Sequence, residues 1–283
     1  MHSMVLLIQC PDQSGIVAKI SDFIYKRDGN LTDASQHSTG ADDGRFFMRV
    51  EFDPAEDDAN TEVMTQALTP LMNELSAKWE LFSSEKIPRM ALAVSKFDHC
   101  LVDLLYRVQS GELRAEIPLI VSNHADAQHH ADTHNVPFVQ LPVTKETKSD
   151  QEKQFVKAIA EKSDFLVMAR YMQILSQDFL DHYGKPVINI HHSFLPSFKG
   201  ANPYRQAFDR GVKLIGASAH YATTDLDEGP IIEQVVDRVT HRDTVESLRN
   251  KGKSLEQQAL SRAVKAHVER RVIRYENKTI VFE

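Results

Sequence analysis

The chain of 283 residues, 42% hydrophobic and 26% charged, is long enough for two domains and has the composition of a folded, soluble protein. Its formal net charge of −7 excludes the broad positive field that a phosphate backbone requires, so no nucleic-acid partner is expected. Two cysteines, Cys10 and Cys100, exclude a disulfide framework and a spaced structural zinc site, which fits a cytoplasmic location, and no segment approaches membrane-spanning length.

From Met4 to about Phe82 the pattern is βαββαβ. The opening apolar run lacks a basic segment before it and a cleavage site after it, so Met4 to Cys10 reads as a strand rather than a leader. Pro11 to Gly15 ends it, and Ile16, Ile20, Phe23 and Ile24 recur at helical spacing with Ser14 or Asp12 as the cap. Asp28-Gly29-Asn30 stops that helix. Strands follow near Leu31 to Ser38 and Arg45 to Phe52, then a helix over roughly Thr61 to Lys78. At SSEKIP the composition turns small and charged, which places a first domain at 1–84, a linker at 85–88 and a second domain at 89–283. In the second domain strands (MALAV, IPLIVSN, FLVMA, VINI) are separated by helices from Asp98, Ala125, Ser149 and Ser176. Continuous apolar strands between amphipathic helices mean a doubly wound, mostly parallel α/β sheet. A long helix follows Thr244, and the last strand, KTIVFE, is expected to pack back onto that sheet.

Polar side chains at the carboxyl end of a parallel strand sit where open α/β sheets form their crevice. Here that strand is VINI, and Asn189 and His191 leave it on one side of an extended segment. Asn can donate to a developing oxyanion and His can move a proton near neutral pH. Taken alone, these groups are somewhat better explained by satisfying the turn. The companion stretch is GASAHY followed by TTDLDEGP, in which Asp227 lies in a tight turn where a carboxylate can orient a water or tune His191. Asp225 and Glu228 read as turn caps or a solvated loop. His124, His129, His130 and His134 include a helical four-residue spacing, but no accompanying glutamate pattern supports a metal, so they read as structural and no metal is expected. Cys100, early in a helix, reads as buried packing.

NIHHSFLPSFKGANPY and GASAHYATTDLDEGPI resemble the two signature segments of the formyltransferase and hydrolase superfamily that uses 10-formyltetrahydrofolate. The resemblance covers roughly residues 89–283. It implies catalytic roles for Asn189, His191 and Asp227, and a folate site at Met172, Gln173, Ile174, Leu175, Thr223 and Thr224. Folate is then the substrate, and no separate cofactor is implied. The glycinamide ribonucleotide transformylases of this superfamily hold a phosphate with a glycine-rich turn after their first strand. The corresponding Ser95 to Cys100 has no glycine. The members that formylate transfer RNA add a basic C-terminal domain, whereas this chain ends soon after its last strand and is acidic overall.

The N-terminal unit, with CPDQSGIV, is similar to ACT domains, which have a ferredoxin-like βαββαβ fold and bind a small amino acid near the first turn. An ACT unit joined to a formyl-folate core looks like the formyltetrahydrofolate deformylase family, to which SKFDHCLVDLL and ARYMQIL are also similar. That resemblance implies hydrolysis of 10-formyltetrahydrofolate to tetrahydrofolate and formate, serving one-carbon metabolism and purine biosynthesis. It further implies effector contacts at Asp12, Gly15 and Asn30, with glycine or methionine as effector, and a homo-oligomer paired through ACT domains. Residue by residue, Gly15 is equally a helix-start glycine and Asn30 a turn residue. The alternatives are transfer of the formyl group to another amine and a non-catalytic folate or amino-acid sensor.

Overall fold

The computed structural model describes residues 3–40, 44–196 and 203–283. The chain forms two compact units, Met1–Ile87 with Glu269–Tyr275 and Ile280–Glu283, and Pro88–Val268 with Glu276–Thr279. Among the described residues no helix is long and apolar enough to cross a membrane.

In the first unit β1 (Met4–Pro11), α1 (Ile16–Tyr25), β2 (Asn30–Ser38), β3 (Arg45–Asp53), α2 (Thr61–Glu74) and β4 (Lys78–Ser83) build an antiparallel sheet of order β2-β3-β1-β4. Strand β1 is apolar from Met4 to Ile8 because both of its faces are covered. Met4, Leu6 and Ile8 pack with Ile16, Ile20 and Ile24 of α1 and Met64, Leu68 and Met72 of α2. Val5 and Leu7 pack on the other face with Phe47, Ile273 and Phe282. Strand β2 is the exposed edge. Neither Ser14 nor Asp12 caps α1: the N-cap is Gly15 at φ 90, a left-handed conformation that suits glycine, and Asp12 instead accepts a hydrogen bond from Ser38 Oγ. Helix α2 stops at Glu74, short of the expected Lys78, because β4 takes over there to pair with β1.

The second unit runs β5 (Met90–Val94), α3 (His99–Gln109), β6 (Ile120–Ser122), α4 (Gln128–Thr133), β7 (Phe138–Gln140), α5 (Lys148–Ile159), β8 (Phe165–Met168), α6 (Gln177–Tyr183), β9 (Val187–His191), α7 (Pro203–Arg210), β10 (Leu214–Tyr221), β11 (Ile231–Arg238) and α8 (Val245–Val268). Its sheet has the order β11-β10-β9-β8-β5-β6-β7. The pairs β5 with β6, β6 with β7, β5 with β8 and β8 with β9 are parallel, and β10 and β11 add antiparallel. Ser176 caps α6 by accepting from Phe179 N at 3.1 Å, and Gly184 ends it at φ 62. The sequence reading lacks β7, only three residues long, and β11, an edge strand of mixed polarity.

The final segment corrects an expectation. Strand β13 (Lys278–Val281) does not join the large sheet but pairs with β12 (Val272–Tyr275) in a hairpin, whose Ile273 and Phe282 flank belongs to the core of the first unit.

Candidate active site

The chain enters the large sheet at β5, adds β6 and β7 on one side, and then returns to add β8, β9 and β10 on the other. The carboxyl ends of β5 and β8 therefore part at a topological switch point, where open α/β sheets leave a crevice. Ser95, buried just past β5, ties this point together. Its Oγ donates to Asn123 Oδ1 at 2.7 Å and accepts from Met172 N at 3.0 Å, and its N donates to Arg170 O at 3.2 Å.

A cavity of about 220 Å³ opens there. It is lined by Met172, Gln173, Ile174 and Leu175 of the loop after β8, by Asn189 and His191 of β9, and by Thr223, Leu226 and Asp227 of the loop after β10. Met172, Ile174 and Leu226 are each about half exposed at its walls, an apolar surface suited to a flat ring. Of the expected folate contacts only Thr224 falls outside this lining. Residues 197–202 of the first signature segment, with its Phe198, Lys199, Gly200 and Ala201, lie outside the described residues.

Asn189, His191 and Asp227 come together. His191 Nδ1 donates to Asp227 Oδ2 at 3.0 Å, which leaves the proton-accepting lone pair on Nε2. That Nε2 is buried and has no hydrogen-bond partner among the described residues. Asp227 reaches His191 because its loop turns sharply: Asp227 adopts φ 58, and Gly229 lies so close to the Tyr221 carbonyl that no Cβ fits. Burial pushes the Asp227 carboxyl up, but the hydrogen bond from His191 and the neighbouring imidazoles prevail and hold it well below the usual carboxylate range.

His220 also belongs to the site, without a signal for it in GASAHY. A register shift at Ala219/His220 in the pairing with β11 accompanies its inward position, and the pairing of β10 with β9 sets it opposite Asn189. Its Nδ1 donates to Tyr221 O at 3.0 Å, so Nε2 accepts from Asn189 Nδ2 at 3.3 Å, while Asp227 Oδ1 lies 3.6 Å away. Asn189 is thereby oriented with a second amide hydrogen to spare. Likewise without a signal in the sequence are His192 and Arg170, which line the same cavity, and Glu256 of α8.

The histidine-rich segment is held by two local bonds and by one to the start of α3. His130 Nε2 pairs with Asp98 at 2.8 Å, His129 Nδ1 with Asp126 O at 2.9 Å and His134 Nδ1 with His130 O at 2.9 Å. Among the described residues His99, Cys100 and Glu256 bring possible metal ligands within 4.8 Å of one another. The Arg170 guanidinium, 3.3 Å from that carboxylate, already supplies the positive charge. Cys100 is buried, which pushes its thiol up and makes it inert packing.

In the first unit the expected effector residues do not form one cluster within a single chain. Asp12 and Gly15 lie at the turn after β1, whereas Asn30 begins β2 at the far end of the sheet, opposite Asp53. Eight residue steps of roughly 3.3 Å separate Asn30 from Ser38, the partner of Asp12.

Residues 88–264 match the formyl transferase family and residues 4–68 the ACT domain. A formyltetrahydrofolate deformylase from Synechocystis sp. is 50% identical over 98% of this chain and 97% of its own. One from Bacillus subtilis is 45% identical over 98% and 93%. The crystal structure of a formyltetrahydrofolate deformylase from Pseudomonas syringae pv. tomato superposes with a TM-score of 0.95 at 43% identity, covering 100% of this chain and 95% of that one. With this site on this scaffold, the chain belongs to the formyl transferase family, in its ACT-bearing branch of formyltetrahydrofolate deformylases.

Proposed function

We propose that the cleft binds 10-formyltetrahydrofolate, with its pterin against Met172 to Leu175, and that Asn189, His191 and Asp227 direct water onto the formyl carbon to give tetrahydrofolate and formate. The observation that carries this reading is the His191–Asp227 pair: Nδ1 is committed to the carboxylate at 3.0 Å, Nε2 is buried with no partner among the described residues, and the imidazole lines the cleft. His191 Nε2 takes the proton of the attacking water, and Asp227 stabilises the resulting imidazolium. The free Asn189 amide hydrogen meets the formyl oxygen as it becomes an oxyanion. As the C–N10 bond breaks, His191 returns the proton to N10 and formate departs. A positioned proton carrier contributes about 10²- to 10⁴-fold and an oxyanion donor about 10²- to 10³-fold. Asp227 acts here through His191, rather than as the base that deprotonates water.

Purified protein given 10-formyltetrahydrofolate and no amine is expected to release formate and tetrahydrofolate in equal amounts. Release only when an amine is added would replace hydrolysis with transfer.

For the first unit, the reading is regulation by an amino acid such as glycine or methionine in a homo-oligomer. Its support is the exposed β2 edge: antiparallel pairing of two copies centred on Ala34 would set Asn30 of one beside Ser38 and Asp12 of the other, completing the set that one chain separates. A monomeric mass in light scattering would remove this part of the proposal.

A further inference from the structure

Arg170 follows β8 at φ 67, a backbone conformation that favours glycine. An arginine kept at such a position points to a use for its side chain. That side chain is only 10% exposed. Its Nη1 donates to His192 Nδ1 at 2.8 Å, and its Nε lies 3.3 Å from Glu256 Oε2 without hydrogen-bond alignment. The Phe97 ring covers the guanidinium at 5.5 Å.

Glu256, 2% exposed, accepts from Tyr204 Oη at 2.8 Å and from His99 Nε2 at 2.8 Å. Tyr204 can lie there because residue 252, one turn earlier in α8, is glycine: a Cβ on it would overlap the phenol ring. Burial pushes the Glu256 carboxyl up, but the His99 hydrogen bond and the Arg170 charge prevail, so it stays ionised and opposes the guanidinium.

Arginine only donates, so His192 Nδ1 is an acceptor and the ring proton sits on Nε2. Burial, then the neighbouring Arg170 charge, holds His192 neutral down to about 4. The His192 ring stacks on His191, centroids 5.0 Å apart and planes inclined by 25°. We propose that Arg170 is a positioning residue for deformylation: anchored by Glu256, it fixes His192 as the neutral Nε2–H tautomer, and that ring holds His191 with Nε2 turned into the cleft. The inference rests on the deformylase reading. A cationic or rotated His192 would set a charge against the ring that must accept the proton, or release it from its aim.

Arg170→Gly removes the side chain at a position whose backbone suits glycine. Arg170→Gly/Glu256→Gln also removes the carboxylate left unpaired, and stands in if the single variant fails to fold. Both are assayed for formate release without acceptor and by ¹H–¹⁵N correlation of the histidine rings. The expectation is a kcat about 10- to 100-fold lower, KM within about threefold, and loss of the single Nε2–H pattern of His192. A kcat within about threefold of the parent, a loss carried by KM, or an unchanged His192 pattern overturns the proposal. Absence of formate release by the unmodified protein overturns the deformylase reading instead.

Discussion

Asp227→Asn preserves shape while removing the charge that His191 faces. In the parent the carboxylate accepts a buried hydrogen bond from His191 at 3.0 Å and lies 3.6 Å from His220. A hydrogen bond to a charged group contributes about 1.5–3 kcal/mol. A loss of that size as the imidazolium forms corresponds to a kcat lower by roughly 10- to 10²-fold. Formate release at saturating folate measures this directly, with KM expected to change little because the carboxylate acts through His191. The substitution also has a stability signature. The folded carboxyl is held below its ordinary value, so its contribution is present above about pH 4 and is lost as pH falls through the depressed folded value. The difference in denaturation midpoint between parent and variant is therefore largest near neutrality and shrinks in acid. A kcat within about threefold of the parent would refute the pairing as the source of catalysis.

His192, neutral down to about 4 against an ordinary 6.5, leaves its proton to the unfolded chain between those values. Stability should thus fall as pH drops from 6.5 to 4, and His192→Gln should flatten that slope in urea titrations; an equal slope would refute the assignment. Gly252→Ala exchanges glycine for the better helix former, worth about 1 kcal/mol, yet the added Cβ overlaps Tyr204 and should cost about 1–3 kcal/mol net. A variant more stable than the parent would contradict that packing. Ser95→Ala removes the tie between Asn123 and Met172 N, about 1 kcal/mol, and should raise the folate KM about fivefold with kcat nearly unchanged.

The two units were legible because burial on both faces turns β1, β5 and β8 into continuous apolar runs, while α1 and α3 keep one apolar face. Asn189, His191 and Asp227 were legible because each lies in a long motif at a strand end. What stayed hidden depends on pairing across the sheet or between distant segments. His220 gains its role only when β10 runs antiparallel to β9. Arg170 and Glu256 meet only once α8 packs beside the sheet, and nothing local in ARYMQIL or SLEQQAL signals a buried ion pair. The closing strand misled because its apolar run fits any partner; the hairpin with β12 decides where it goes.

In the proposed reaction water accepts the formyl group at the Asp227–His191 pair. The direct measurement is product release by purified protein from 10-formyltetrahydrofolate without any amine, compared with its His191→Ala variant. The parent is expected to give equimolar formate and tetrahydrofolate, and the variant a rate at least about 10²-fold lower. Formate release that requires an added amine, or that survives loss of His191, would contradict it.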